Sequence, residues 1–173
     1  MRLRQKPISW DNCFMFMNIL VISIGVFILL VFLTIFYVFF MNLKRNVNKN
    51  WLKLYFPLRR RQDMTPALIE IFKKHFPANK KIFIETIKAR QKAYFEITDE
   101  NVAEMNFMIK RIISHGKKSQ KMMYDLNFLE MKNTFSENNE AVQIAAVEYN
   151  IAVNKYNFWG KVLLQKKVEL FDF

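Results

Sequence analysis

The chain has 173 residues, of which 52% are hydrophobic, three are glycine and four are proline, so long helices are favoured over disorder or turn-rich β-sheet folds. One cysteine and two widely separated histidines exclude an internal disulfide framework and give no metal-ligand spacing, so we expect no metal or other cofactor. The net charge of +12 would suit a nucleic-acid-binding protein. Seven basic side chains and no acidic one are concentrated in residues 42–61, however, and we expect no nucleic-acid partner.

Residues 1–13 form a short tail, and residues 14–41 are an uncharged run of 28 residues. As a helix this run would extend roughly 42 Å, which exceeds the hydrocarbon thickness of a bilayer. A secretory signal peptide is the competing interpretation, but the run is too long for one and no small-x-small cleavage site follows it. We predict a retained transmembrane helix over residues 14–41. Cys13 at its edge follows no lipobox, and we interpret it as inert.

The charged residues around the span predict its orientation. Three basic residues precede the span and seven follow it, which places the C-terminal part in the cytoplasm and the N-terminus outside. These seven residues, here called the basic collar, are Lys44, Arg45, Lys49, Lys53, Arg59, Arg60 and Arg61. The collar could bind anionic lipid headgroups, with about 1 kcal/mol for each basic residue near the surface. Alternatively, it is a solvated helix end that only enforces the topology.

Proline and threonine positions predict where helices begin and end after the span. Pro57 predicts a kink or an end in a juxtamembrane helix over residues 42–61. In "DMTPAL", Thr65 can cap a new helix with Pro66 in its first position. Pro77 interrupts that helix. We therefore predict a helical bundle domain over residues 62–173.

The remaining pattern is also helical. A periodic stretch from Phe83 to Ile112 has a candidate break at "ITDEN", residues 97–101, and the polar "SHGKKSQ", residues 114–120, is a predicted loop. The last helix is predicted from Met123 to about Trp159, where Gly and Pro are absent. Its apolar residues step by four and three, a heptad seam formed by Val142, Ala146, Tyr149, Val153 and Tyr156. The fold class is all-α: one N-terminal transmembrane helix followed by an antiparallel three- to four-helix bundle.

Two Tyr-Asn pairs recur seven residues apart on this seam, at Tyr149-Asn150 and Tyr156-Asn157. A buried tyrosine ring keeps a hydroxyl that needs a hydrogen-bond partner. The asparagines lie one position round the helix, at the edge of the seam, where they could bond to a neighbouring helix. We interpret the repeat as packing and register.

At these residues the chain resembles the LemA family of bacterial membrane-anchored helical proteins. The family phrase N-F-L, then E-x-x-I-x-x-A-x-x-x-Y-N-x-x-V-x-x-Y-N, is similar to "NFLEM", residues 127–131, and "EAVQIAAVEYNIAVNKYN", residues 140–157. A second phrase, V-x-x-x-W, then L-x-R-R-x-D-L-x-P-x-L-x-E, is similar to Val47, Trp51 and "LRRRQDMTPALIE", residues 58–70. The matched motif positions singled out here are Trp51, Asp63, Pro66, Asn127, Phe128, Leu129, Tyr149, Asn150, Val153, Tyr156 and Asn157.

The resemblance implies an inner-membrane protein with its N-terminus outside and a cytoplasmic antiparallel bundle. It implies no enzymatic activity, and some family members are associated with organising specialised membranes. The chain departs from the family pattern at Pro57, Pro77 and Met64. The family's Phe-Pro after the Tyr-Asn repeats is replaced here by "FWGKVLLQKKVELFDF", residues 158–173.

Three functions are compared. The preferred hypothesis is a scaffold or interaction protein that self-associates or organises other membrane proteins. Its distinguishing feature is the apolar tail, which could bind a neighbour or fold back on its own bundle; the residues singled out are Phe158, Trp159, Leu163, Leu164, Leu170, Phe171 and Phe173. The alternative is a module that senses anionic lipids through the basic collar. We expect no enzyme and no small-molecule substrate, because no nucleophile–base arrangement or glycine-rich phosphate loop is present.

Overall fold

In the computed structural model, the described residues are 10–161 and 167–171, with side chains described from residue 15 onward. Five helices follow one another, and no strand occurs among the described residues. The helices are α1 (Trp10–His75), α2 (Lys80–Phe95), α3 (Asp99–Lys118), α4 (Gln120–Met123) and α5 (Leu126–Gly160). The predicted all-α fold is confirmed.

The chain divides into two compact units, Met1–Leu43 and Lys44–Phe173. In the first unit, the apolar side chains of α1 are exposed almost throughout, as a lipid-facing surface requires. The hydroxyls of Ser23 and Thr34 donate to the carbonyls of Leu20 and Leu30, each at 2.8 Å, so neither polar side chain needs water. Among the described residues, α1 is the one helix that is long and apolar enough to cross a membrane.

The second unit contains the helical bundle, built from the C-terminal part of α1 together with α2, α3, α4 and α5. Two contacts show that α1 and α5 run antiparallel: Lys53 Nζ lies 2.6 Å from Glu148 Oε2, and His75 Nε2 lies 2.8 Å from Asp125 Oδ2. Phe72 of α1 also packs on Phe83 of α2 with a ring-centroid distance of 5.7 Å. The largest side chains with essentially no exposure are Leu54, Leu58, Gln62, Leu68, Phe72, Val102, Met105, Ile112, Met122, Phe128, Val142 and Val153.

The helix start predicted at Pro66 is wrong, and so is a helix end at Pro57, whereas a kink at Pro57 stays a prediction. As predicted, α1 ends before Pro77, but it passes through Pro57 and Pro66 without a new start. Proline lacks the N–H that would bond to the carbonyl four residues earlier. For Pro66 that carbonyl belongs to Gln62, and the Arg90 side chain of α2 donates to it at 2.7 Å instead. A donor from another helix therefore satisfies the acceptor that Pro66 leaves open.

The predicted loop at residues 114–120 is also wrong for most of its length, because α3 continues to Lys118. Only Ser119 separates α3 from α4, and its hydroxyl accepts from the backbone N–H of Met122. Gly116 serves close packing inside α3 rather than a turn. A Cβ atom there would overlap the ring of Phe128 and lie 3.0 Å from the sulfur of Met122.

The ends of the other helices follow local capping chemistry. The break predicted at "ITDEN" is confirmed, with Thr98 accepting from the N–H of Asn101 at the start of α3. Asp125 caps α5 by accepting from the N–H of Asn127 at 3.0 Å, and its carboxylate also lies 2.8 Å from His75 Nε2. The hydrogen bond with His75 lowers the pKa of Asp125, and the N–H of Asn127 and the nearby Lys74 act in the same direction.

Candidate functional site

The two asparagines of the Tyr-Asn repeat bind the C-terminal segment of the chain. Asn157 Nδ2 donates to the carbonyl of Val168 at 2.7 Å, and the N–H of Val168 donates to Asn157 Oδ1 at 2.9 Å. Asn150 makes the same pair with the carbonyl and N–H of Phe171, at 2.7 and 2.8 Å. We call Asn150 and Asn157 the asparagine clamp, and residues 167–171 the terminal segment.

The spacing of the clamp fits an extended chain. Seven helical residues advance by roughly 10.5 Å, and three residues of extended chain span roughly 10 Å. Asn150 and Asn157 are seven apart, and their partners Phe171 and Val168 are three apart in the opposite direction. The seven-residue repeat therefore matches the spacing of an antiparallel extended segment. The two asparagines bind the backbone of that segment rather than its side chains.

The tyrosines place aromatic packing beside the clamp. The hydroxyl of Tyr149 donates to the carbonyl of Glu169 at 3.3 Å, and its ring lies 5.5 Å from that of Trp51. Phe171 is 5% exposed, with its ring 6.4 Å from Trp51. Burial, followed by the nearby charges of Asp99 and Glu169, raises the pKa of Tyr149. The phenol is therefore protonated at neutral pH and can donate.

These contacts correct one of the predictions made for the Tyr-Asn repeat. The seam residues Val142, Ala146, Tyr149, Val153 and Tyr156 are buried as predicted, but the asparagines bond to the terminal segment and not to a neighbouring helix.

Within the predicted tail, Phe171 packs on its own bundle. Phe158 is 66% exposed, and Trp159 and Leu170 are partly exposed. Leu163, Leu164 and Phe173 lie outside the described residues.

The basic collar does not form one surface. Lys44, Arg45, Lys49, Lys53 and Arg60 are exposed, and Lys53 also forms an ion pair with Glu148. Arg59 is half-buried, with its guanidinium 4.2 Å from the ring centroid of Tyr94 and its Nε donating to the Tyr55 hydroxyl at 2.8 Å. Arg59 therefore contributes to the packing of α1 on α2.

Arg61 is 3% exposed, so the prediction that it contacts lipid headgroups is wrong. Its three nitrogens donate to the side-chain oxygens of Asn138, Asn106 and Asn139 at 2.9, 2.7 and 3.2 Å. Asn138 in turn donates to the carbonyl of Pro57 at 2.9 Å. Burial lowers the pKa of Arg61 to about 10, which leaves it charged at neutral pH. Arg61 thus places a positive charge among α1, α3 and α5.

The remaining residues of the family motifs differ in how far they are buried. Phe128 is buried against Gly116, Trp51 and Leu129 are partly buried, and Asp63 and Asn127 are exposed. The N–H of Asn127 bonds to the capping carboxylate of Asp125. Pro66 is exposed on α1.

A model of the LemA family matches residues 50–168, more than two thirds of the chain. The chain belongs to the LemA family. The match covers α1 from Asn50, all of α2 to α5, the asparagine clamp and the first clamped residue, Val168. No curated protein matches the chain closely enough to count as a relative.

This LemA-family protein has a second apolar face on α5, of which only Phe158 was predicted from the sequence, as part of the apolar tail. Ile144, Val147, Ile151 and Phe158 are between 51 and 66% exposed. Steps of three, four and seven residues place them on one side of the helix, opposite the buried seam. We call these four residues the α5 stripe. The spacing was readable from the sequence, but only burial distinguishes this face from the seam.

Proposed function

We propose that this LemA-family protein is a membrane-anchored helical scaffold that self-associates through the α5 stripe and organises membrane proteins around it, with no catalytic step. The observation that supports this most is the exposure of four large apolar side chains on one face of a long helix. Contiguous exposed apolar surface is characteristic of protein interaction sites, because water disfavours it.

The terminal segment does not cover this stripe, since its hydrogen bonds engage Asn150 and Asn157 on a different side of α5. The proposed membrane is the bacterial inner membrane, with the N-terminus outside and the bundle in the cytoplasm, as the collar predicts. Anchoring in one membrane raises the effective concentration of copies and favours contact between like surfaces. Burying one Val, Ile or Phe side chain contributes about 1.5–3 kcal/mol.

Cysteine cross-linking in native membranes tests the proposal. Single cysteines replace Ile144, Val147, Ile151 or Phe158 in a Cys13→Ser background, and a short bismaleimide is added. We expect covalent dimers from at least one stripe position. The matched control is Ile84→Cys, because Ile84 is an isoleucine of similar exposure, 53%, that lies on α2 and not on α5.

A charged variant gives the second arm. Ile151→Glu should abolish cross-linking from the Val147→Cys variant, because self-association would bury the new carboxylate. Ile84→Glu should leave it unchanged. Absence of dimers from all four stripe cysteines, or equal dimer yields with Ile84→Cys, would contradict self-association through the stripe.

A second candidate function is binding of anionic lipids by the exposed part of the collar. Lys44, Arg45 and Lys49 lie within eight residues of the apolar run, and none forms an ion pair among the described residues. Replacing all three by Gln should lower the amount of phosphatidylglycerol retained by the detergent-extracted protein. The control replaces Lys80, Lys88 and Lys121, which are exposed on other parts of the bundle. Equal lipid retention in both variants would exclude this function.

A further inference from the structure

A cavity of about 270 Å³ opens between α3 and α5, and Arg61 is one of the residues that line it. Its volume is near the lower end of that of small-molecule sites. Three lysines from two helices line it, Lys110 and Lys117 of α3 and Lys132 of α5. None of them forms an ion pair in the part of the chain that the structure describes. Like charges gathered round one cavity repel each other, and a bound anion would relieve that repulsion.

Arg61 also determines how two asparagines present themselves to the cavity. Asn106 and Asn139 line the cavity, and the side-chain oxygen of each accepts from Arg61. A guanidinium has only donors, so the oxygen of each amide must face it. The NH₂ groups of Asn106 and Asn139 therefore point away from the guanidinium of Arg61. Neither donates a hydrogen bond to another described residue.

The charge of the lining has one sign. Arg61 and the three lysines are positive and can only donate hydrogen bonds, and the described lining contains no Asp or Glu. Asn133 and Ser136 also line the cavity and can both donate and accept. Ile109, Ile113 and Phe135 add an apolar part. A tetrahedral oxyanion attached to a small organic group matches such a site, because several donors can approach its oxygens from different directions.

We propose that this cavity binds a phosphate monoester group, held by Lys110, Lys117 and Lys132 with Asn106 and Asn139 as oriented donors. The group could belong to a soluble metabolite or to the headgroup of a lipid such as phosphatidic acid. This site is separate from the α5 stripe and from the exposed collar, and it does not depend on self-association.

The test uses the full chain purified in detergent and measures binding by calorimetry. One arm titrates glycerol 3-phosphate, and the other titrates phosphatidic acid or, for comparison, phosphatidylcholine into the detergent micelles that hold the chain. The variant replaces Lys110, Lys117 and Lys132 by Gln, and the control replaces Lys80, Lys88 and Lys121 by Gln. Both variants lose the same charge. Arg61 is left unchanged, because it joins three helices and its replacement could unfold the bundle.

We expect saturable binding that weakens about tenfold or more in the cavity variant and less than twofold in the control. Binding of glycerol 3-phosphate identifies a soluble ligand class, whereas binding of phosphatidic acid alone, without binding of glycerol 3-phosphate or phosphatidylcholine, identifies a lipid headgroup. The proposal is overturned if neither probe binds saturably, or if the cavity and control variants bind equally well.

Discussion

Replacing a clamp asparagine should release the terminal segment without unfolding the bundle. Asn150→Ala removes two hydrogen bonds to the backbone of Phe171, and Asn157→Ala removes two to Val168. A protein hydrogen bond contributes about 0.5–1.5 kcal/mol net. Each substitution should therefore lower the free energy of opening the terminal segment by roughly 1–3 kcal/mol.

Residue-resolved hydrogen exchange measures this directly, because the amide hydrogens of Val168 and Phe171 are themselves clamped. An opening free energy lower by roughly 1–3 kcal/mol corresponds to exchange that is roughly 5- to 150-fold faster. We expect this acceleration at Phe171 in Asn150→Ala and at Val168 in Asn157→Ala. Amides in the middle of α3 should keep their protection.

Asn154→Ala is the matched control, since Asn154 is exposed on the same helix and makes no hydrogen bond of its side chain among the described residues. Asn150→Asp separates the two bonds of one amide. It keeps an acceptor for the N–H of Phe171 but places a carboxylate oxygen against the carbonyl of Phe171, so the segment should still loosen. Unchanged exchange at Phe171 in Asn150→Ala would refute the clamp.

Three further substitutions test the packing of the bundle. Gly116→Ala should destabilise the protein by about 1–3 kcal/mol in denaturant unfolding, because its Cβ would overlap the Phe128 ring. Arg90→Met should cost about 1–3 kcal/mol, since it leaves the Gln62 carbonyl without its donor, and the cost should shrink when Pro66→Ala restores a helical N–H. Because its folded-state pKa is lowered from 3.8, Asp125 should contribute stability above about pH 4 and lose it as the pH falls further; Asp125→Asn should flatten this dependence.

Each of these has its own control. Gly25→Ala should leave the unfolding of the bundle unchanged, because nothing lies within 4 Å of a Cβ there, and an equal loss in both glycine variants would contradict the close approach at Gly116. Arg90→Met is measured both in the unaltered protein and in the Pro66→Ala variant. An equal loss of unfolding free energy in both would show that the two positions are not coupled. For Asp125, Asp63→Asn is the exposed comparison, and identical pH profiles for both variants would exclude the role of the capping carboxylate.

Local periodicity predicted the elements, whereas distant partners decided the exceptions. The seam from Val142 to Tyr156 was predictable as a continuous apolar face because its residues step by four and three, although the α5 stripe has similar spacing and only burial separates the two faces. The helix start predicted at Pro66 is wrong because Arg90 donates the hydrogen bond to the Gln62 carbonyl that proline cannot donate, and Arg90 is 28 residues from Gln62 in sequence. Gly116 resembles a turn residue until Phe128 is placed against it.

The candidate sites were less predictable than the fold. The Tyr-Asn repeat is a visible sequence feature, but its partner is the backbone of residues 168 and 171, and a backbone partner has no side-chain pattern in the sequence. Arg61 belongs to a run of three arginines in the sequence, but successive helical residues point in different directions, so the three side chains need not share one environment. Arg61 can be buried because three asparagine side chains accept its hydrogen bonds, and two of these asparagines are more than seventy residues away in sequence.

The mass of the intact particle, released gently from native membranes and measured by native mass spectrometry, tests the proposed scaffold most directly. The proposal predicts particles that contain two or more copies of the chain for the unaltered protein, and single copies for Ile151→Glu. A single copy in the unaltered protein, with no other membrane protein attached, would contradict it.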